Sequence, residues 1–78
     1  MLHDTLQTLR ERMERADAIW GNFASTHEAM GVASEEWDEF RDAVKSNDPV
    51  AIQREALDVA AVLIRLSQQL DSDELLRD

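Results

Sequence analysis

The sequence predicts an all-α protein, a minimal bundle of three main helices per chain completed by oligomerisation. Three observations predict it. The 78-residue chain holds only two glycines and one proline, so few positions interrupt a helix. Apolar residues recur in steps of three and four along most of its length, the period of one helical face. Gly21-Asn22 and Asn47-Asp48-Pro49 divide the chain into three stretches of helical length. No repeat, linker or low-complexity tract is visible, so residues 1–78 read as a single domain.

The first helix is expected from Leu2 to Trp20 or Phe23. Leu2, Leu6, Leu9, Met13, Ala16, Trp20 and Phe23 form a heptad seam along it. Arg10, Arg12 and Arg15 read as its solvated side. His3 is expected to be disordered. Ser25-Thr26-His27-Glu28 reads as a capping box, with Ser25 as N-cap and Glu28 three residues on, and opens a second helix to about Lys45. Its stripe is Ala29, Ala33, Trp37, Phe40 and Val44, and Gly31 inside it can permit close approach by a neighbour. Asp48 suits an N-cap and Pro49 the first helical position, where its missing N–H is harmless. The third helix then runs to about Leu70, followed by a short turn ending at Asp78.

The third helix is apolar on two sides. Ile52, Val59, Val62, Leu63, Leu66 and Leu70 line one, and Leu57, Ala60, Ala61 and Ile64 the other. Such a helix needs cover on both sides, more than two further helices supply. A second copy in a two-fold dimer, or a homotetramer, is the expected cover; an exposed alanine-rich flank is the alternative.

Eight basic against seventeen acidic residues give a net charge of −9. That balance argues against binding a nucleic-acid polymer, whose phosphates are held by clustered Lys and Arg, and against docking on anionic lipid. The absence of cysteine excludes disulfides, thiolate zinc sites and cysteine nucleophiles. The longest apolar run, Val59 to Ile64, is too short to cross a bilayer, and no secretory signal is visible after Met1. A soluble cytoplasmic protein is expected.

Glu36 and Glu39 on the second helix, and Glu55 and Asp58 on the third, are pairs three residues apart that border or enter the apolar stripes. Carboxylates placed there lose hydration and repel one another. They can take up protons, or share a hard divalent cation such as Mg²⁺, with Mn²⁺ possible, which prefers oxygen ligands and keeps room for phosphate oxygens. The alternative is ordinary ion pairing of Glu36 or Glu39 with Arg41 or Lys45, and of Glu55 or Asp58 with Arg54 or Arg65. A ferritin-like di-iron site is disfavoured, because neither His3 nor His27 stands three residues after a Glu.

The stretch Glu35-Glu36-Trp37-Asp38-Glu39, followed after fifteen residues by Glu55-Ala56-Leu57-Asp58, resembles the EExxE…ExxD signature of the MazG-like all-α nucleoside triphosphate pyrophosphohydrolases. The run from His27 to Glu36 and the run from Val59 to Arg65 are also similar to short MazG-like proteins, so the resemblance spans roughly residues 24 to 70. It implies hydrolysis of a nucleoside triphosphate to a monophosphate and pyrophosphate, with Mg²⁺ held by Glu36, Glu39, Glu55 and Asp58. Glu35 or Glu39 is then the candidate to orient or deprotonate the attacking water. His27, Trp20, Phe23 and Arg65 are candidate substrate contacts. Trp20 and Phe23 can stack on a base, and Arg65 can reach a phosphate. The competing assignments are core packing for Trp20, Phe23 and Trp37, an exposed structural histidine, and an ion pair for Arg65. A module that binds nucleotide or a protein partner without catalysis, and a purely structural helical dimer, are the alternative functions.

Overall fold

The computed structural model describes residues 2–72. Three helices account for nearly all of them: α1, Leu2–Trp20; α2, Thr26–Ser46; α3, Pro49–Asp71. The turn expected after Asp71 runs into residues 73–78, which lie outside the described residues. His3, expected to be disordered, belongs to α1, its side chain lying outside the description. Among the described residues, no helix is long and apolar enough to cross a membrane.

The boundaries fall where local chemistry puts them. Gly21 ends α1 at φ +70°, in the left-handed region open to glycine, and its N–H donates to the Asp17 carbonyl. Ser25 caps α2, its Oγ accepting from the Glu28 N–H at 3.0 Å. The return bond goes one residue further back than in the usual box, from the Ala24 N–H to Glu28 Oε1 at 2.8 Å. Asn47 closes α2 at φ 62°, a conformation asparagine tolerates better than most side chains. Asp48 then accepts from the Val50 N–H, and Pro49 opens α3.

α3 is the middle element. It packs on both other helices, more extensively with α2, whereas α1 and α2 do not pack on each other. α2 runs antiparallel to it across the tight turn at Asn47-Asp48. α1 runs parallel to it: Arg12 meets Arg54 and Asp58, Asp17 meets Arg65, and Phe23 meets Gln69. The core is small and gathers at the α1–α2 connection, where Phe23, Ala29 and Val62 pack with Val32, Ala33 and Leu66.

Two buried polar side chains of α3 secure that connection. Gln69 accepts from the Phe23 N–H at 2.9 Å and donates to the Phe23 carbonyl at 2.8 Å. Arg65, 7% exposed, donates to Asp17 at 2.8 Å and to the Gly21 carbonyl at 2.7 Å. It also lies over the Phe23 ring, 4.8 Å from its centre.

Several sequence expectations change here. The α1 seam is only half covered, because Leu6 and Trp20 are exposed while Leu9, Met13 and Ala16 face inward. Arg12 is not on the solvated side; it is half-buried and ion-paired. Trp37, placed in the α2 stripe as core, is 50% exposed and tilts against Phe40 at 5.3 Å between ring centres. Gly31 faces open space, with nothing among the described residues within 4 Å of where its Cβ would be, so no other helix of this chain makes the close approach it permits.

The two-sided apolar character of α3 has a clear outcome. Buried Ala61 shares a cleft wall with Arg12 and Ala16 of α1. Toward α2, Val62 packs with Ala29 and Glu55 meets Glu36, so heptad spacing defines facing rows of Glu55, Val62 and Gln69 on α3 and Ala29, Glu36 and Ala43 on α2. One residue beyond each row, Met30, Trp37 and Val44 on α2 and Leu63 and Leu70 on α3 remain exposed. In an antiparallel pair, positions one step past the contact row fall on the same side. The hairpin therefore carries an apolar strip on the side away from α1.

The Gln69 clasp gives a stability prediction. Gln69→Ala leaves both backbone groups of Phe23 without partners and is expected to lower the unfolding free energy by about 2–4 kcal/mol. Exposed Gln68→Ala should change it by no more than about 0.5 kcal/mol. Urea unfolding of the two variants checks this, and equal effects would contradict it.

Candidate metal centre

The hairpin register brings Glu36, Glu39 and Glu55 together. One carboxylate oxygen from each lies within 4.8 Å of the others. Glu36 follows from the Ala29–Ala43 contact row, and Glu39 lies one turn further on, at the exposed rim. Glu55 reaches them from α3 because Val62, one heptad later, is pinned in the core.

Two oxygens of this trio, Glu36 Oε2 and Glu55 Oε1, are shut away from solvent without a hydrogen-bond partner. Buried carboxylate oxygens in that condition are costly unless a proton or a cation satisfies them. The other Glu55 oxygen is 3.3 Å from Arg54 Nε, as the ion-pairing alternative expects. Loss of hydration, and then the charges of Glu39 and Asp58, push the Glu36 carboxyl up to about 7. A hydrogen bond donated by the protonated Glu36 carboxyl to Glu39 and the charge of Glu55 add to the shift.

Asp58, the fourth acid of the sequence motif, does not join the trio. Its Oδ1 accepts from Arg12 Nη1 at 2.7 Å, and the same nitrogen donates to the Arg54 carbonyl at 2.7 Å. The expected partners were Arg54 or Arg65; the partner found is on α1. Nothing in the local sequence singles out Arg12 from Arg10 and Arg15. Only the parallel packing of α1 on α3 does.

The remaining candidates scatter around the trio. Glu35 is exposed and lines a cleft of about 450 Å³ with Trp20, Phe23, Glu28, Glu36 and Arg65. Trp20, 75% exposed at the mouth of that cleft, is free to stack on a planar ring. Phe23 is not: it is 5% exposed and belongs to the core, so its assignment to base stacking is corrected to packing. The Arg65 guanidinium is engaged with Asp17 and Gly21. His27 is exposed in the first turn of α2, outside the trio. The buried Gln69 carried no sequence signal, being one of several glutamines near the end of α3.

Comparison with known protein families, with curated proteins and with solved structures finds no match to this chain.

The raised Glu36 value has a direct consequence for the metal-free protein. The folded state holds a proton that the unfolded chain, at 4.5, releases earlier. The resulting stabilisation is complete below about pH 4.5 and is lost as pH rises through about 7. In a chelator, this contribution should therefore decline from pH 5 to pH 8, and Glu36→Gln should remove most of the decline. Urea unfolding across that range measures it; parallel profiles for wild type and variant would contradict it.

Proposed function

We propose that the chain is a Mg²⁺-dependent nucleoside triphosphate pyrophosphohydrolase, a minimal relative of the MazG-like enzymes, acting in the cytoplasm as a homodimer or homotetramer. The observation that carries this reading is the carboxylate trio: three ligand oxygens within 4.8 Å, two buried carboxylate oxygens lacking any partner, and the EExxE…ExxD spacing that supplies them. The donor set fits Mg²⁺, which takes oxygen ligands, and Mn²⁺ as a substitute.

Glu36, Glu39 and Glu55 would hold the ion, and Asp58 would be the fourth ligand once released from Arg12. Bound Mg²⁺ supplies neutralisation of phosphate charge and a lowered pKa for its water. Glu35, or the rim oxygen of Glu39, orients the attacking water and receives its proton. Water adds to the polyphosphate, the α–β anhydride bond breaks, and a monophosphate and pyrophosphate leave. The cleft beside Glu36 offers Trp20 as a platform for the base, with buried Phe23 in its wall.

Assembly is supported by the exposed strip of Met30, Trp37, Val44, Leu63 and Leu70. The contact-row arithmetic puts Glu35, Glu39 and Asp58 on the other side of the hairpin, so a chain of net charge −9 has a face for its own copy with few like charges. Trp37→Glu or Leu63→Glu should raise the dimer Kd at least about thirtyfold, as for an interface residue worth about 2 kcal/mol. Light scattering over a dilution series reads this; an unchanged assembly would remove the strip from the interface.

One observation favours a second reading. With Asp58 held by Arg12, three acids cluster instead of four, which suits a module that binds a metal-nucleotide complex or a partner without turnover. Pyrophosphate release from a panel of canonical and modified deoxynucleoside triphosphates separates the two. Catalysis predicts Mg²⁺-dependent release that falls by at least about a hundredfold in Glu36→Gln and Asp58→Asn. Tight binding without release selects the module. A melting temperature unmoved by Mg²⁺ or Mn²⁺ leaves only a structural helical dimer, because ligands of the native state raise it by mass action.

A further inference from the structure

The contact that keeps Asp58 from its neighbours is specific. Both bonds from Arg12 leave one atom, Nη1, at 2.7 Å to Asp58 Oδ1 and 2.7 Å to the Arg54 carbonyl. Both side chains are largely sheltered, 26% and 34% exposed. Asp58 lies one turn beyond Glu55 on α3, so the guanidinium stands at the edge of the carboxylate trio. It also forms part of the wall of a smaller cleft, about 220 Å³, whose other members include Trp20, Glu36, Asp58 and Arg65. Arg12 ties α1 to the N-terminal half of α3, whereas the bonds at Asp17, Gly21 and Phe23 hold the opposite end of α3.

We propose that Arg12 is a resident counter-ion that competes with a divalent cation for Asp58, so that filling the carboxylate site and undocking the middle of α1 are one exchange. This rests on the metal-binding reading above. While Arg12 holds Asp58, three carboxylates face the site. When a cation draws Asp58 to it, the guanidinium loses its charged partner and keeps only a carbonyl, and that stretch of α1 loosens. The freed cationic group then stands on the cleft wall, next to where an anion arriving with the metal would sit.

The test is a Mn²⁺ titration of the full chain by calorimetry, for wild type, Arg12→Gln, Arg12→Lys, Asp58→Asn and the Arg12→Gln/Asp58→Asn double variant. Removing the competitor should tighten Mn²⁺ binding about fivefold in Arg12→Gln, the worth of one partly sheltered ion pair. Arg12→Lys, which keeps the charge on a shorter side chain, should fall between. The gain should vanish in the Asp58→Asn background, where there is nothing to compete for. A gain of equal size in that background would make it a long-range charge effect and overturn the proposal, as would unchanged or weaker binding by Arg12→Gln. If Arg12→Gln fails to fold by circular dichroism, an absent gain in Arg12→Lys is the overturning result. Amide exchange supplies a second readout: Mn²⁺ should speed exchange around residues 8–16 in wild type and not in Asp58→Asn. Wild type that binds Mn²⁺ with no speeding refutes the Arg12 exchange alone. No Mn²⁺ binding by any variant removes the metal site itself, and this proposal with it.

Discussion

One carboxylate oxygen from each of Glu36, Glu39 and Glu55 lies within 4.8 Å of the others, and one oxygen of Glu36 and one of Glu55 are shut away from the water that would screen them. Charge at such a point must be neutralised by protons or balanced by cations. The chain supplies partial balances: Arg54 leans on Glu55, Arg12 holds Asp58, and Glu36 keeps its proton up to about neutral pH. What creates the conflict is the register of the α2–α3 hairpin. Asn47 in the left-handed region and the Asp48 cap set where α3 begins, and the small Ala29 against Val62 sets how it lies. A slip of one residue would turn Glu55 by about 100° and disperse the trio.

Much of this was legible in the sequence. The three helices begin and end within about a residue of the positions read from Gly21, Ser25, Asp48 and Pro49, because each is a local signal whose chemistry does not depend on the rest of the fold. The convergence of Glu36, Glu39 and Glu55 was also legible, since it needs only helical spacing and a short antiparallel turn. What was not legible depends on α1. Whether Arg10, Arg12 or Arg15 meets Asp58 turns on how α1 is rotated and shifted on α3, and the seam from Leu2 to Phe23 does not specify that. Phe23 was legible as a seam residue with core packing weighed against base stacking; what the sequence did not show is that Gln69 and Arg65 fasten the backbone around it.

The aromatic residues show how few large side chains the single chain can cover. Phe23 is enclosed, while Trp20 and Trp37 are open to solvent. The buried apolar set is mostly alanine and valine, which lets α2 approach α3 closely but removes little apolar surface from water. Polar clasps at Arg65 and Gln69 do work that a larger core would do by packing. The two tryptophans left outside lie on different sides of the molecule, one at the cleft and one on the strip away from α1, so burial in the core and exposure for contacts divide between distinct faces.

The helices also differ in how far along the chain their partners lie. α2 and α3 meet across a tight turn, whereas the bonds that join Arg12 and Asp17 of α1 to α3 span 42 to 48 residues. During synthesis, α1 emerges from the ribosome well before the segment that will receive it. Leu9 and Met13, half-buried in the finished fold, stay uncovered until the part of α3 that receives them has been translated. The hairpin, by contrast, can close as soon as its own second half is out. The order of the helices thus makes the earliest-made one the last to settle.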